Sequence, residues 1–504
     1  MNSADVEPSS SPCRRVLEAS ALVLIVIAAT VLRVWQLGRL SFWYDEVVTM
    51  RLAETPSIAG LFALLFQIDA TRAPLHPLIL QDWLAVFGTS EIAGRALSVG
   101  FGVATVVLLY GLGRLAFDRS TGVWASFLGA FSPLLVYYSR EVRMYALLTM
   151  LTTLCWVLLF WRRRTPARWK TMAYAACLVA MLFTHPLGLL MLGTLALASA
   201  LDVRAFFGSW KAWLAVHLGA LIVTAPWLRF YFDHAPEFLS GRLPIKFLLA
   251  TPIGFTGGDS TVYVVIVALI AFGLYRRGVA DRTMREWVAP ACLALWLVLP
   301  PTILFAYSWI ASPIFGPARY TLFCAPAYLV LIAQALSRIP PLSRWTLGLG
   351  LACVAVVTLR TIVYDPQLKA DWRSFSETLA FFQAQPPRVK ITVMTASDVE
   401  PNVEMVTARY YLERACPIVP FDESELEALR KLPRQEVYLL VGGGPSREIS
   451  PSLQERLQPF VTGVDQHRIG PLRFYRLAAA SLQLPARAPA PAPAPAEPAR
   501  PAPD

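Results

Sequence analysis

Two acidic residues stand side by side in an aromatic segment of the sequence, Phe42-Trp43-Tyr44-Asp45-Glu46. Adjacent carboxylates among aromatic side chains are unfavourable next to lipid unless they face a cavity. In a cavity, one carboxylate can act as a general base, or as a metal ligand, and activate an acceptor nucleophile. The same two residues also suit the N-terminus of a helix that extends to Glu54. Residue type and spacing leave both interpretations open.

A second polar segment runs from Tyr137 to Tyr145 and contains Arg140 and Arg143, which are three residues apart. This spacing predicts that the two arginines share one face of a helical turn. The planar guanidinium group of arginine is suited to bidentate binding of phosphate. Alternatively, either arginine pairs with Glu141 or extends toward lipid headgroups. The segment is therefore a candidate anion site with a structural alternative.

The composition shows which kind of element must position these residues. Of the 504 residues, 56% are hydrophobic and only 16% are charged, and the mean hydropathy is +0.51. Soluble domains carry about 25% charged residues, so a water-soluble enzyme is unfavoured. The 15 Trp, 17 Tyr and 27 Phe exclude disorder for most of the chain. The composition predicts an all-α polytopic membrane protein.

Apolar runs with few charges predict about 11 transmembrane helices, because a bilayer core requires roughly 20 residues per helix. The run 171–201 is interrupted by Thr184-His185-Pro186, and we interpret it as two short helices. A single long span there would invert the topology of everything downstream. The predicted spans lie near 16–35, 95–113, 120–138, 144–161, 171–184, 187–201, 212–230, 259–275, 287–307, 319–337 and 345–363.

The basic residues predict the orientation of these spans. Lys and Arg concentrate in cytoplasmic loops, and a cytoplasmic N-terminus places the basic loops on that side. Most of the net charge of +11 is then explained by topology, and no nucleic-acid partner is predicted. The loops assigned to the cytoplasm are 114–119, 162–170, 202–211, 276–286 and 338–344.

This topology places the polar segments at the outer ends of the helices. His76, His185 and Arg319-Tyr320 lie on the same side and complete a candidate cluster. Both histidines are also open to a structural interpretation, which is the more common role for a lone histidine near a membrane end. The cluster is a candidate site outside the cytoplasm.

The chain divides into four predicted parts. Residues 1–15 form a cytoplasmic segment, and 16–364 form the transmembrane domain, whose first periplasmic loop, 36–94, has amphipathic stretches near 43–54 and 57–67. Residues 365–478 alternate between strand-like and helix-like runs, which predicts a small periplasmic α/β domain. Residues 479–504 form a disordered tail with an Ala-Pro repeat.

Sequence spacing predicts no metal or nucleotide site. The seven cysteines form no CxxC pair or disulfide framework, and the five histidines form no HExxH motif. Gly442-Gly443-Gly444 lacks the spacing of a phosphate-binding loop, so a plain turn is the favoured interpretation. No cofactor is predicted with certainty, and a divalent metal remains open.

The membrane part resembles the GT-C glycosyltransferases, close to the protein O-mannosyltransferase and lipid A aminoarabinose transferase group. The order of the matches over most of residues 16–363 is more specific than any one of them. Arg72-Ala73-Pro74-Leu75-His76-Pro77 departs from the lipid A enzymes, which have a basic residue before Pro-Pro, and this leaves donor and acceptor identity open. The matching segments are Trp43-Tyr44-Asp45-Glu46, Pro74-Leu75-His76-Pro77, Phe87-Gly88-Thr89-Ser90-Glu91, Arg95, Ser132-Pro133, Tyr138-Ser139-Arg140-Glu141 to Tyr145, Thr184-His185 and Arg319-Tyr320.

The resemblance implies a membrane glycosyltransferase that moves a sugar from a polyprenyl-phosphate donor to a lipid, glycan or protein acceptor of the cell envelope. It implies transfer at the periplasmic face of the bacterial inner membrane, with Asp45 as the catalytic carboxylate. The expected site comprises Asp45 and Glu46 as catalytic residues, Arg140, Arg143 and Arg319 at the donor phosphate, and His76, Tyr138, Tyr145, His185 and Tyr320 at the substrate.

Two other classes of function remain as alternatives. A transporter or flippase of lipid-linked or anionic solutes also places charged residues in membrane cavities. Against it, the charges cluster at one membrane face and no internal repeat is visible. A structural protein whose exported domain binds an envelope partner would make both charged pairs incidental.

Overall fold

The computed structural model consists of two compact units, Met1–Asp371 and Trp372–Asp504. The unit boundary lies a few residues beyond the predicted one at 364/365. The predicted tail, apart from the end of the last strand, and Gly442-Gly443-Gly444 lie outside the described residues. The structure describes residues 12–68, 73–233, 266–267, 269–270, 284–310, 318–365, 369, 371–384, 389–396, 403–412, 416–432, 435–441, 451–459, 461–469 and 472–479.

The first unit is built from helices, as predicted. Two short 3₁₀ turns, Ala318–Tyr320 and Leu322–Cys324, precede the helix Ala325–Ser337. The helices are α1 (Pro12–Val34), α2 (Tyr44–Ala53), α3 (Ile58–Ile68), α4 (Leu75–Phe87), α5 (Glu91–Ala116), α6 (Arg119–Phe131), α7 (Pro133–Tyr138), α8 (Tyr145–Arg164), α9 (Arg168–Thr184), α10 (Gly188–Ala200), α11 (Val203–Phe207), α12 (Trp210–Asp233), α13 (Met284–Ile310), α14 (Ala325–Ser337) and α15 (Pro341–Ile362).

Each predicted span that the structure describes contains helix, but the span 120–138 is divided into α6 and α7 at Ser132, and α14 begins at Ala325 rather than near 319. Six helices are long and apolar enough to cross a bilayer by length and composition. The predicted break at His185-Pro186 is confirmed, since α9 ends at Thr184 and α10 begins at Gly188. Most of the predicted span 259–275 lies outside the described residues. The six long helices are α1, α5, α8, α12, α13 and α15.

Close backbone contact holds α5 against α6. A Cβ atom built on Gly113 would stand 2.8 Å from the Cα of Gly122, and one built on Gly122 would stand 2.6 Å from the carbonyl oxygen of Tyr110. Small residues allow membrane helices to approach this closely, which matters because lipid provides no hydrophobic drive for association. The two glycines therefore set the distance between α5 and α6.

The buried centre of the first unit contains large aromatic side chains. The rings of Trp156 on α8 and Trp296 on α13 are stacked with centroids 5.1 Å apart. The indole N–H of Trp296 donates a hydrogen bond to the carbonyl oxygen of Phe323 at 2.9 Å. This contact ties α13 to the turn that follows Arg319, one of the candidate site residues.

The second unit contains a five-stranded mixed sheet, as the α/β prediction required. The strand order is β2-β1-β3-β5-β4, with β1, β2 and β3 parallel and β5 antiparallel to both β3 and β4. Helices connect the parallel strands. The strands are β1 (Lys390–Ala396), β2 (Ile418–Pro420), β3 (Gln435–Val441), β4 (Val461–Ile469) and β5 (Leu472–Ala479), and the helices are α16 (Trp372–Ala384), α17 (Val403–Leu412), α18 (Glu423–Arg430) and α19 (Pro451–Leu457).

Candidate active site

The two acidic residues at the start of α2 have different environments. The Glu46 carboxylate accepts a hydrogen bond from the backbone N–H of Trp43 at 3.3 Å, so Glu46 makes the cap of this helix. The Asp45 carboxylate instead forms an ion pair with Arg319, with Oδ2 2.8 Å from Nη1. Asp45 is partly exposed while Glu46 is fully buried. The N-cap alternative therefore applies to Glu46 and not to Asp45.

Arg143 and Arg319 lie on two sides of Asp45. The Nη1 group of Arg143 donates to the backbone carbonyl oxygen of Asp45 at 3.3 Å and to Oγ1 of Thr49 at 2.9 Å. The Nε atom of Arg319 is buried and has no hydrogen-bond partner among the described residues. Buried donors are normally satisfied, so this N–H group is available to an incoming acceptor such as a phosphate oxygen.

Aromatic residues surround this charged group. The Arg319 guanidinium lies 5.9 Å from the ring centroid of Tyr145, 5.2 Å from that of Tyr320 and 5.8 Å from that of Trp43. The ring centroids of Tyr138 and Tyr145 are 5.8 Å apart, and those of Tyr145 and Tyr320 are 6.4 Å apart. The structure thus brings the three predicted tyrosines to one place.

Both predicted histidines are buried in the same region. The His185 ring lies 5.8 Å from that of Tyr145, and its Nδ1 accepts a hydrogen bond from the backbone N–H of Leu187 at 3.0 Å. Burial, together with the charge of Arg143, lowers the pKa of His76 to about 3. The Nε2 atoms of His76 and His185 have no hydrogen-bond partner among the described residues. At neutral pH the His76 imidazole is therefore uncharged and can exchange a hydrogen bond with a bound molecule.

Arg140 lies apart from the other predicted arginines. Its guanidinium donates to the carbonyl oxygens of Arg33, Trp35 and Gln36 at 2.8, 2.6 and 3.2 Å. These carbonyl groups lie in the last turn of α1 and directly after it, where basic side chains commonly bind. The predicted shared face with Arg143 is wrong, because residues 139–144 form a turn rather than a helix.

Glu46 belongs to a second, buried group of charges behind Asp45. Arg95 on α5 binds Glu46 through two hydrogen bonds of 2.8 and 2.9 Å. Lys369 places its ammonium group 3.0 Å from Glu46 and 3.3 Å from Glu141. Val142 also donates its backbone N–H to Glu46 at 3.1 Å. We call Glu46, Arg95, Glu141 and Lys369 the buried quartet.

Opposing effects act on the two carboxylates of the buried quartet. Burial raises the pKa of Glu46, but Arg95 and then Lys369 outweigh burial and hold that pKa at about 2. The pKa of Glu141 is raised, chiefly by burial and also by Glu46, although Lys369 acts in the opposite direction. The pKa values of the two carboxylates shift in opposite directions because Arg95 makes its bidentate contact with Glu46 and not with Glu141.

Comparison with solved structures identifies the fold. ArnT from Cupriavidus metallidurans bound to undecaprenyl phosphate aligns with a TM-score of 0.60 at 14% identity, covering 94% of this chain and 99% of that one. Its apo form gives 0.59 at 14% identity, covering 91% and 98%. The chain has the GT-C fold. The archaeal oligosaccharyltransferase AglB from Archaeoglobus fulgidus, in complex with an inhibitory peptide and a dolichol-phosphate, aligns with a TM-score of 0.52 at 12% identity, covering 94% and 75%.

Sequence comparison agrees with this fold over part of the chain. The profile of the dolichyl-phosphate-mannose-protein mannosyltransferases matches residues 71–230. The comparison with curated protein sequences gives no match. The predicted GT-C fold is confirmed, and the predicted resemblance to the protein O-mannosyltransferase and lipid A aminoarabinose transferase group agrees with both comparisons.

Three residues of this GT-C protein contact the candidate site residues but were not predicted as members of the site. Arg95 appeared in the sequence only as one of the segments that carry the family resemblance. Lys369 follows the last predicted span and was assigned to the exported domain, so nothing in the sequence connected it with Glu46. Thr49 lies one helical turn after Asp45, and this spacing predicts that the two residues share a helix face.

The described part of the GT-C protein contains no group of three or more His, Cys, Asp or Glu side chains that could hold a metal ion.

Proposed function

We propose that this GT-C protein transfers a sugar from a polyprenyl-phosphate donor to an acceptor of the cell envelope, with Asp45 as the general base. The GT-C fold and the family match over residues 71–230 support the enzyme class. ArnT was solved with undecaprenyl phosphate and AglB with a dolichol-phosphate, which supports a lipid-linked donor. The observation that carries the proposal is the partly exposed Asp45 carboxylate, which pairs with Arg319 while Arg143 binds the backbone carbonyl oxygen of the same residue.

The chemistry requires a base for the acceptor hydroxyl and a cation for the leaving phosphate. In the proposed step, Asp45 removes the proton of an acceptor hydroxyl. The hydroxyl oxygen attacks the anomeric carbon and inverts the configuration of that carbon. The bond between that carbon and the phosphate oxygen breaks, and the electron pair leaves with the lipid phosphate. Arg143 and Arg319 stabilise the charge that develops on the phosphate as it leaves.

Arg319 has two roles in this proposal. Its Nη1 group holds the Asp45 carboxylate in position, and its unsatisfied Nε–H is the donor offered to the phosphate. The two guanidinium groups and one carboxylate sum to a single positive charge, which matches the single negative charge of a sugar phosphodiester. His76, His185, Tyr138, Tyr145 and Tyr320 provide polar and aromatic contacts for the sugar and acceptor.

We further propose that the site faces the periplasm of the bacterial inner membrane and that the second unit lies on the same side. The site lies where α1 ends, α8 begins and α9 ends, so it occupies one end of the helices. The loops rich in Lys and Arg are assigned to the opposite, cytoplasmic end by the positive-inside rule.

Purified protein in detergent tests the proposal, because transport is undefined where no membrane separates two compartments. Undecaprenyl-phosphate hexoses and pentoses labelled in the sugar are incubated with envelope lipid, glycan and protein extracts. A transferase yields a labelled acceptor and free undecaprenyl phosphate. If the protein binds the labelled lipid but forms no sugar–acceptor bond with any extract, the flippase alternative replaces this proposal.

A further inference from the structure

Lys369 lies in the short connection between α15 and the end of the first unit, far in sequence from the residues it contacts. Its side chain is only 11% exposed and reaches both carboxylates of the buried quartet. Its ammonium group also lies 5.6 Å from the ring centroid of Trp43. We propose that Lys369 is a positioning residue for sugar transfer, which holds the start of α2 and the 139–144 turn in their active geometry.

The charge balance of the buried quartet shows why a cation is required there. Glu46 and Glu141 carry two negative charges, and Arg95 and Lys369 carry two positive charges, so the group is neutral with Lys369 present. Without Lys369 a net negative charge remains buried, and an unpaired buried charge is strongly unfavourable. The protein then either protonates a carboxylate or moves one of them toward water.

Contacts of Glu46 link this balance to the reacting groups. Glu46 caps the helix turn that carries Asp45, and it also binds the backbone N–H of Val142, the neighbour of Arg143. Lys369 and Arg319 both contact the ring of Trp43, with the ammonium group 5.6 Å and the guanidinium group 5.8 Å from its centroid. Displacement of Glu46 would therefore shift the base and the phosphate-binding arginine together. The inference rests on the proposed function of Asp45 and Arg143.

A shift in pH dependence separates positioning by charge from simple packing. Loss of Lys369 removes a cation that lowers the pKa of both Glu46 and Glu141. Both pKa values then rise, and Glu141, whose pKa burial already raises, is protonated first and at higher pH than in the wild type. The acidic limb of the kcat profile should therefore move to higher pH. The two carboxylates face each other, and the other titratable and charged groups that face them are Asp45, Arg95, Tyr137, Tyr138 and Lys369.

The experiment compares Lys369→Met, Lys369→Arg and the double variant Lys369→Met/Glu141→Gln in the detergent assay. Lys369→Met should lower kcat about 10²-fold, more than it changes KM for the donor, because small misplacements of reacting groups have effects of this size. Lys369→Arg keeps the charge and should stay within a few-fold of wild type. The double variant restores neutrality and should recover most of the lost kcat, melting temperature and pH profile.

Lys431→Met is the matched control, since Lys431 also pairs with a glutamate, Glu427 at 2.8 Å, but on the exposed surface. Its kcat and melting temperature should stay near those of wild type. A double variant that is as inactive and unstable as Lys369→Met would overturn the inference, as would a Lys369→Met protein with normal kcat and pH profile. If the wild type itself transfers no sugar, the proposed function fails, and the melting temperatures of the same variants still test the charge balance.

Discussion

Asp45 and Glu46 contact different partners because they occupy neighbouring positions on one helix. Successive side chains on an α-helix point about 100° apart. Glu46 therefore points inward to Arg95, while Asp45 points toward Arg319. The sequence left base and cap as alternatives for the pair because both roles need only a carboxylate. The buried partner on α5 distinguishes them, and that partner is distant in sequence.

We expect Asp45→Asn to lower sugar transfer by about 10²–10⁴-fold, because the amide keeps the shape of the side chain but cannot take up the proton. The measurement is the initial rate in detergent with a saturating donor. Asp118→Asn is the control, since Asp118 caps α6 through a 2.8 Å hydrogen bond from the N–H of Thr121. An Asp45→Asn protein with wild-type turnover would return this residue to a structural role.

Arg143→Lys and Arg140→Lys should have different effects. Lysine keeps the charge but loses the planar fork, so Arg143→Lys should weaken phosphate contacts by about 1.5–3 kcal/mol. The loss appears in KM if the contact is equal in ground and transition states, and in kcat if it strengthens as the phosphate leaves. Arg140→Lys loses contacts to the α1 carbonyl oxygens and should lower the melting temperature while kcat stays near wild type.

Steady-state kinetics and thermal unfolding of both arginine variants provide the measurement. Equal losses of kcat in the two variants, with no loss of melting temperature in Arg140→Lys, would contradict the separation and place Arg140 at the donor phosphate, as predicted from the sequence.

At the scale of elements, local sequence signals were sufficient where one residue type decides the conformation. Pro186 lacks a backbone N–H and disfavours helix in the residue before it, which is why the break between α9 and α10 was predictable. The 139–144 turn was not predictable, since its conformation depends on Glu46 accepting the N–H of Val142. Strands β4 and β5 are only weakly indicated by the sequence, because charged residues interrupt their alternation and their pairing is partly long-range.

Gly122→Ala should destabilise the packing of α5 against α6. The added Cβ would meet the backbone of Tyr110 at 2.6 Å, and overpacking of this kind costs about 1–3 kcal/mol. Gly100→Ala on α5 is the control, because no atom lies within 4 Å of its added Cβ. Thermal unfolding in detergent should show a lower melting temperature for Gly122→Ala alone. Equal melting temperatures for both variants would show that α5 and α6 accommodate the added Cβ without loss of stability.

At the scale of the molecule, the sequence predicted the membrane helices, the small α/β unit and most members of the site. It predicted them because composition and hydrophobic runs are local, and because the ordered motifs of the family resemblance span the first unit. It did not predict which charges meet. The pairs Asp45–Arg319 and Glu46–Lys369 are separated by 274 and 323 residues, and no local pattern encodes such a pairing.

We expect the second unit to lie outside the cytoplasm, because an odd number of predicted spans follows a cytoplasmic N-terminus. Alkaline phosphatase fused after Arg360 or after Ala480 should be active, and green fluorescent protein at the same sites should be dark. Fusions after Arg168, in a predicted cytoplasmic loop, should show the reverse. Fluorescence after both Arg360 and Ala480 would place the second unit in the cytoplasm.

The long separation between Asp45 and Arg319 also has a consequence for biosynthesis. A ribosome adds about 5–20 residues per second, so the 274 residues between them take roughly 14–55 s to make. Throughout this interval the nascent chain already carries its base but neither Arg319 nor Lys369. Under the proposed mechanism, an emerging or truncated chain does not consume lipid-linked sugar, and catalytic competence begins only when the last helices of the first unit have been inserted.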